Sequence, residues 1–283
     1  MPSNSQVAHR KGQTDGSADW RLLTSEARTI DTDDIGGLAS AALYGARSLA
    51  DVVVRRLSDL LGNEEIRPGL LRDIFSEAVG NDPAIARAMC KDAFAIVDRD
   101  PAATRLIEPL LFYKGFQGIE AHRFTHWLWR QGRRDIARWL QSRSSEIFQV
   151  DIHPAAKFGH GIFLDHATGF TVGETAEIDD DVSILHSVTL GGTGTEGKIR
   201  HPKIRRGVLI GAGAKILGDI EIGEAAKVAA GSLVLESVPP YTTVAGVPAR
   251  IVSDPHRKPK KAPSQTMDQM LDEKAYGSFT YVI

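Results

Sequence analysis

Residues 209–238 read LIGAGAKILGDIEIGEAAKVAAGSLVLESV, and a branched aliphatic residue returns in them at every sixth position. The series comprises Ile204, Ile210, Ile216, Ile222, Val228 and Val234. An α-helix repeats at about 3.6 residues and a strand at about 2, so a period of six fits neither of them. A short, fixed period is typical of a solenoid, in which each turn of the chain stacks on the previous one.

The same period extends back to residue 150, where helical periodicity ends. A polar, glycine-rich insertion, GGTGTEGKIRHPK at 191–203, interrupts it. Three hexads make one triangular coil, with aliphatic residues pointing inward and small residues at the corners. The period therefore predicts a parallel β-helix over residues 150–252 with a loop at 191–203.

The chain on either side of the solenoid differs in character. Residues 31–149 carry apolar residues mostly three, four or seven apart, which predicts an all-helical domain. Residues 1–30 are polar and are predicted to be disordered. Residues 253–283 contain prolines and no hexad, which predicts a flexible C-terminal tail. The predicted fold class is therefore α+β, with helices first and the β-helix second.

Composition excludes several classes of protein. The 283 residues carry a net charge of -2, which does not favour bulk binding to nucleic acid or to an anionic membrane. Residues 1–19 lack the apolar core of a signal peptide, and no apolar run approaches the ~20 residues of a membrane span. Cys90 is the single cysteine, so no internal disulfide can form. We expect a soluble cytoplasmic protein with no membrane or nucleic-acid partner.

The register of the hexads places four residues in one vertical column on the β-helix. They are His166, His186, Ala212 and Ala230, each two residues after the first residue of its hexad. Successive coils rise by about 4.8 Å, so imidazoles occupy one end of the column and methyl groups the other. The same register predicts Asp151 on this side, one coil below His166, where it could orient the ring. The pattern is equally compatible with a surface histidine and solvated turn carboxylates.

Longer strings carry a resemblance to a known family. FQVDIHPAA (148–156), LDHATG (164–169), SVTLGGTG (187–194), RHPKI (200–204), IGAGAKILG (210–218) and VPPYTTVAGVPARIV (238–252) together resemble the serine acetyltransferases. The likeness starts in the helical region near residue 99. The hexads alone specify only the broader superfamily of acyl-coenzyme A transferases with a left-handed β-helix.

The resemblance implies that the acetyl group of acetyl-CoA is transferred to the hydroxyl of L-serine, giving O-acetyl-L-serine and CoA, the first step from serine to cysteine. L-Cysteine is implied as a feedback inhibitor, no permanently bound cofactor or metal is implied, and acetyl-CoA is the co-substrate. A serine hydroxyl is a poor nucleophile until a base takes its proton, and histidine suits that role near neutral pH.

The family's site residues fall on matching positions of this sequence. His166 would be the base and Asp151 the carboxylate that orients it. Residues for serine or cysteine would be Asp100, Asp165, Arg200 and His201. The CoA groove would be lined by Gly192, Thr193, Ala212, Lys227 and Ala230. His186 receives no role.

The resemblance also implies an assembly and a partner. The family forms trimers through the β-helix and pairs them through the helical domain, so a homo-hexamer is expected. The helical domain would also supply part of the substrate site. The last residue, Ile283, would enter the active site of O-acetylserine sulfhydrylase, with its carboxylate imitating that of O-acetylserine.

Three alternatives stay open at this level. The chain is compatible with an acetyltransferase for another hydroxyl or amine, such as that of a sugar. A zinc hydratase shares the β-helix, but His160 and His166 fall on successive sides, which fits its three metal histidines poorly. A scaffold that has lost catalysis is a non-enzymatic alternative.

Overall fold

The computed structural model describes residues 16–30, 36–194, 199–253 and 260–271. It has the predicted fold class, with a helical region followed by a parallel β-helix. The helices are α1 (Gly16–Ala27), α2 (Gly36–Leu43), α3 (Leu49–Leu61), α4 (Pro68–Asn81), α5 (Pro83–Arg99), α6 (Ile107–Phe112), α7 (Lys114–Arg130), α8 (Arg134–Phe148) and α9 (Pro263–Thr266). No helix in these ranges is long and apolar enough to span a membrane.

The strands form three parallel faces of a triangular prism. They are β1 (Val150–Ile152), β2 (Lys157–Phe158), β3 (Phe163–Leu164), β4 (Phe170–Val172), β5 (Glu177–Ile178), β6 (Ser183–Ile184), β7 (Thr189–Gly191), β8 (Lys203–Ile204), β9 (Leu209–Ile210), β10 (Lys215–Leu217), β11 (Glu221–Ile222), β12 (Lys227–Val228), β13 (Leu233–Val234), β14 (Thr243–Gly246) and β15 (Ala249–Ile251). Sheet 1 has the order β1-β4-β7-β10-β13, sheet 2 β11-β8-β5-β2, and sheet 3 β15-β14-β12-β9-β6-β3. Among the strands of the described ranges, β15 alone joins antiparallel, to β14.

The hexad period has a direct physical reading in these sheets. Each of the first four coils contributes one short strand to each sheet, and the residues that set the period are buried along the prism axis. Ile204, Ile210, Ile216, Ile222 and Val228 are all 0% exposed. Burying such side chains stabilises each coil by roughly 1.5–3 kcal/mol per residue, so the repeat itself builds the core.

The register predicted for the column of His166, His186, Ala212 and Ala230 is confirmed. Leu164 pairs with Ile184, Ile184 with Ile210, and Ile210 with Val228, all within sheet 3. The column residues therefore lie at one edge of sheet 3. This edge is the 3–1 corner, where each coil passes from sheet 3 to sheet 1.

The helical region docks on the β-helix through buried polar contacts. The side chain of Asp92 in α5 accepts the backbone N–H of Ile162 at 2.8 Å. Arg99, at the end of α5, donates to the carbonyl of Gly161 at 2.9 Å and to Ser183 Oγ at 3.1 Å. Arg123 in α7 donates to the carbonyl of Gly159 at 2.9 Å. The 2–3 corner, between sheets 2 and 3, is thereby fixed against α5 and α7.

Part of the segment predicted to be disordered, 1–30, is a helix. Leu23 of α1 is fully buried, and Glu26 Oε2 accepts the N–H of Ile107 at 3.1 Å. Apolar residues at helical spacing, Trp20, Leu23 and Ala27, give α1 a face that packs on the core. The prediction of disorder is wrong for 16–30, and residues 1–15 lie outside the described ranges.

Within the predicted tail, α9 packs on the β-helix, whereas most of residues 260–271 are exposed or half-buried. Ser264 in α9 is fully buried, and its carbonyl accepts Ser183 Oγ at 2.8 Å. Its N–H donates to the carbonyl of Gly207 at 3.3 Å. Composition does not reveal this docking, because it depends on backbone groups of Ser264 that meet a polar corner of the β-helix.

Candidate active site

The candidate base lies in a tight turn at the 3–1 corner, directly after β3. His166 and Ala167 both have left-handed backbone conformations, with φ of 58° and 61°. The His166 ring is exposed, and its Nε2 lies 3.6 Å from Oδ2 of Asp165. His186, one coil further on, places its ring edge-on to His166 at 5.7 Å between centroids. The two imidazoles that the hexad register predicted to be neighbours are in contact.

One carboxylate, Asp165, lies beside the base, and a second, Asp100, is near enough to Asp165 for its charge to be felt there. Burial raises the pKa of Asp165, with Asp100 adding to the rise and His166 opposing it. Asp100 directly follows the last residue of α5, and its Oδ1 accepts the N–H of Ala102 at 2.8 Å. Burial followed by the charges of Asp100, Glu108 and Asp165 raises the pKa of Tyr113, which shows that its phenol shares this acidic surrounding. A cationic group placed here would relieve the repulsion between the carboxylates.

The predicted position of Asp151 is wrong in its register. Asp151 lies in β1 of sheet 1, paired with Thr171, whereas His166 follows β3 of sheet 3. The carboxylate that contacts His166 in this structure is that of Asp165, and Asp151 Oδ1 instead accepts the Gln141 amide at 2.7 Å. The error arose because β1 was assigned to the wrong side of the first coil.

A second cluster lies at the 1–2 corner, between sheets 1 and 2. Arg200 Nη2 donates to Glu174 Oε2 at 2.7 Å, and the Arg200 backbone N–H donates to Thr175 Oγ at 3.0 Å. His201 is buried, and its Nδ1 accepts the backbone N–H of Thr175 at 3.2 Å. Since Nδ1 is an acceptor, the hydrogen of the neutral ring is on Nε2. Burial and then Arg200 lower the pKa of His201, which favours this neutral form.

Glu174 and Thr175 were not identified from the sequence, although both hold predicted substrate residues in place. The hexad register could have found them, because residues 173–176 form the 1–2 corner of the coil beneath the loop. Gly173 is part of the same device. A Cβ at Gly173 would come within 1.9 Å of His201 Nε2, so only glycine admits the ring there.

The two clusters lie at opposite edges of sheet 1 within one chain. The strand between them, β4, has three residues and spans about 10 Å. His166, Asp165 and Asp100 are therefore brought together by the fold of one chain, and so are Arg200 and His201, but the two sets are not.

The predicted CoA residues divide in the same way. Ala212 and Ala230 follow β9 and β12 at the 3–1 corner, in line with the two histidines. Gly192 and Thr193 follow β7 at the 1–2 corner. A Cβ at Gly211 would lie 2.5 Å from the backbone nitrogen of Ala230, so the coils at this corner approach very closely. The glycine and alanine side chains at the 3–1 corner are small, so a ligand can reach the backbone there.

Lys227 lies on β12 beside a cavity of about 500 Å³ between sheet 3 and residues 260–271. Its Nζ donates to the carbonyl of Asp268 at 3.0 Å and also reaches the carbonyl of Met270 at 2.5 Å. Lys260 and Lys261 line the same cavity. Three ammonium groups around one cavity favour an anionic ligand.

Other reactive groups lie away from the column. His160 is at the 2–3 corner, with Nε2 2.9 Å from Lys91 Nζ, so it does not share a site with His166. Within the described ranges, no group of three or more His, Cys, Asp or Glu is placed to hold a metal ion. Burial, and then the charges of Asp19, Glu120 and Asp92, raise the pKa of Cys90 to about 12. The Cys90 thiol is therefore protonated and is no nucleophile.

Comparison with known proteins matches both parts of the chain. The family described as "Serine acetyltransferase, N-terminal" matches residues 20–121, and "Bacterial transferase hexapeptide (six repeats)" matches residues 201–236. The serine acetyltransferase of Escherichia coli strain K12 is 51% identical over 253 residues, which cover 88% of this chain and 91% of that protein.

Two solved structures are similar over most of the chain. A serine acetyltransferase of Brucella abortus in complex with coenzyme A has a TM-score of 0.81 and 51% identity, covering 83% of this chain and 95% of that one. A serine acetyltransferase in complex with cysteine has a TM-score of 0.86 and 43% identity, covering 95% and 100%. The chain belongs to the serine acetyltransferase family.

Proposed function

We propose that the chain transfers the acetyl group of acetyl-CoA to the hydroxyl of L-serine, giving O-acetyl-L-serine and CoA. The observation that carries the proposal is the 3–1 corner. There a histidine with one carboxylate beside it and a second nearby stands at one end of a column whose other end is alanine and closely packed backbone. The first end suits an amino acid and the second an extended arm such as pantetheine.

The reaction needs one base and no enzyme nucleophile, because a thioester is already activated. His166 takes the hydroxyl proton of serine while the oxygen attacks the acetyl carbonyl carbon. The C–S bond then breaks as the new ester forms, and the imidazolium returns its proton to the thiolate. We retain Asp151 as the orienting carboxylate: its Oδ1 accepts from the Gln141 amide, and its second oxygen would accept from the His166 ring. Asp165 is the rival for that role, since it is the carboxylate in contact with His166.

The two charges of the amino acid meet opposite partners. Asp100 and Asp165 receive the ammonium group, while Arg200 and His201 receive the carboxylate. Cysteine shares both charges with serine, so it competes for the same four residues. Relatives bound to CoA and to cysteine are consistent with this assignment.

Replacing Arg200 with alanine is expected to weaken serine and cysteine together. Losing a hydrogen bond to a charged group costs about 1.5–3 kcal/mol. The measurements are KM for serine and Ki for cysteine, with KM for acetyl-CoA as an internal control. Arg205→Ala is the matched control, because Arg205 pairs with Glu221 on sheet 2. A loss of serine affinity without a loss of cysteine affinity would rule out one shared site.

For acetyl-CoA we propose a groove between two subunits, lined by Ala212, Lys227 and Ala230 of one chain and by Gly192 and Thr193 of its neighbour. The cavity beside Lys227 supports an anionic end for the ligand there. The Lys227 ammonium group already donates to two carbonyls of residues 260–271. An arriving phosphate therefore has to displace these carbonyls or share the ammonium group with them.

The separation of the two clusters supports a site shared between subunits. A neighbour in a trimer would bring its 1–2 corner to the 3–1 corner of this chain and cover the exposed His166. We propose a homo-hexamer, formed by two such trimers joined through their helical regions.

Mixing two differently impaired subunits is expected to restore turnover at low serine concentration. In a trimer of His166→Ala and Arg200→Ala chains, one interface joins an intact His166 to an intact Arg200. Co-expressed, differently tagged chains are purified as mixed trimers and assayed at low serine concentration. Each mixed trimer should have one site with wild-type KM for serine. If the mixed trimers were no more active than either parent, a site shared between His166 of one subunit and Arg200 of its neighbour would be excluded.

We further propose that the C-terminus binds O-acetylserine sulfhydrylase. Ile283 lies outside the described residues, so this rests on the sequence resemblance and on the capture of chain ends in backbone pockets. Deleting Ile283 is expected to abolish the complex and leave acetyl transfer near normal. Calorimetric titration of sulfhydrylase with intact and shortened chains measures it, and added O-acetylserine should compete. Equal affinity of both chains would exclude the terminus as the contact.

Thiol release from acetyl-CoA with a panel of amino acids and sugars tests the proposed acceptor. Serine should be the preferred acceptor because Arg200 and the two carboxylates meet a zwitterion. Faster release with a sugar would favour the alternative acetyltransferase, and no release with any acceptor would favour a scaffold.

We place the enzyme in the cytoplasm, where acetyl-CoA is available.

A further inference from the structure

The turn that carries His166 is held in a backbone conformation that costs energy. His166 and Ala167 are consecutive non-glycine residues with φ of 58° and 61°. Such residues cost on the order of 1–3 kcal/mol each and persist only when their surroundings fix them. The catalytic position of the ring therefore depends on contacts that hold this turn.

The start of α7 supplies those contacts. Gly115 lies flat against β3, since a Cβ there would come within 1.9 Å of the Leu164 carbonyl oxygen. Its neighbour Lys114 directs its ammonium group over the turn. Lys114 Nζ donates to Thr168 Oγ, and it lies 3.4 Å from Oε1 of Gln149.

The contact continues from Thr168 to the base. Thr168 Oγ, having accepted from Lys114, donates to the backbone carbonyl of His166 at 3.4 Å. The Thr168 N–H donates to the same carbonyl at 2.7 Å. Gln149, the other partner of Lys114, accepts the N–H of Gly169 through its carbonyl at 2.9 Å. One ammonium group thus ties together both sides of the turn.

We propose that Lys114 is a positioning residue for the base. Resting on the proposed acetyl transfer, this inference assigns to Lys114 the task of fixing the left-handed turn through Thr168, so that the His166 ring meets the hydroxyl of serine. Lys114 acts on the base through Thr168 and the backbone of His166. Small displacements of a base lower turnover steeply, whereas ground-state binding is affected little.

The expected result for Lys114→Met is a fall in kcat on the order of 10-fold, with KM for serine and acetyl-CoA changed by less than about twofold. Methionine keeps most of the length of the lysine side chain and removes its hydrogen-bond donors. Lys114→Arg, which keeps a charged donor, should recover most of the loss. Lys157→Met is the matched control, because Lys157 pairs with Glu177 on sheet 2.

A double-mutant cycle tests the path through Thr168. Thr168→Val removes the hydroxyl and should lower kcat by a similar factor, while Lys114→Met combined with Thr168→Val should be no worse than Thr168→Val alone. Serine turnover by the unchanged chain tests the proposed function, and the ratio of each variant to it tests Lys114. Unchanged kcat in Lys114→Met, multiplicative losses in the double variant, or no recovery in Lys114→Arg would overturn the inference.

Discussion

Replacing His166 with alanine is expected to lower kcat for acetyl transfer by about 10²–10⁴, the usual contribution of a general base. Alanine leaves serine without a proton acceptor at the head of the column, where His166 now stands exposed beside Asp165. CoA affinity should change little, because Ala212 and Ala230 are further along the column. The rate of thiol release from acetyl-CoA measures kcat, and calorimetric titration with CoA measures the CoA affinity.

His186→Ala is the informative companion, because His186 is the nearest imidazole and contacts the His166 ring edge-on. Asp165→Asn and Asp151→Asn then compare the two carboxylates that compete to orient the base. Replacing the carboxylate that orients the ring should lower kcat. Replacing a carboxylate that only binds the ammonium group should raise KM for serine. Turnover of His166→Ala equal to that of the unchanged chain would remove His166 from the mechanism.

The β-helix and its active column could be predicted because the hexad period determines which residues stack. Once Ile184 and Ile210 are neighbours, the positions of His186 and Ala212 follow without any knowledge of side-chain contacts. The same reasoning failed for Asp151, because it lies at the first coil, where there is no earlier coil to fix the side. Periodicity gives the register between coils, and the phase of the first strand has to come from elsewhere.

Contacts between segments of different character were beyond sequence reasoning. The register places Glu174 and Thr175 one coil beneath the loop, but it does not show that their side chains bind Arg200 and His201. The hydrogen bond from Lys114 to Thr168 joins α7 to a coil of the β-helix, and the two residues are 54 apart in sequence. Such pairs follow from how two segments dock, and neither a local pattern nor a propensity contains that information.

Replacing Asp92 with alanine is expected to destabilise the protein by about 3–5 kcal/mol, because it leaves the buried guanidinium of Arg123 without its principal partner. Asp92 accepts from Arg123 Nε at 3.1 Å and from the N–H of Ile162 at 2.8 Å. Glu120 Oε2 also lies 3.1 Å from Arg123 Nε, but burial raises the pKa of the Glu120 carboxyl well above its usual range, so Glu120 offsets the loss only in part. Removing Asp92 thus breaks both an ion pair and the docking of α5 on the β-helix.

Urea unfolding at matched protein concentration measures the loss. The control is Asp59→Ala, whose pair with Arg72 is exposed and should contribute no more than about 1 kcal/mol. Asp92→Asn, which keeps an acceptor for Ile162, should fall between the two. Because α5 ends at Arg99 and Asp100, a looser α5 should also raise KM for serine more than KM for acetyl-CoA. If Asp92→Ala proved as stable as Asp59→Ala, the buried pair would not be what holds the helical region in place, and the position of Asp100 would have to be maintained by Arg99 and its bond to Gly161.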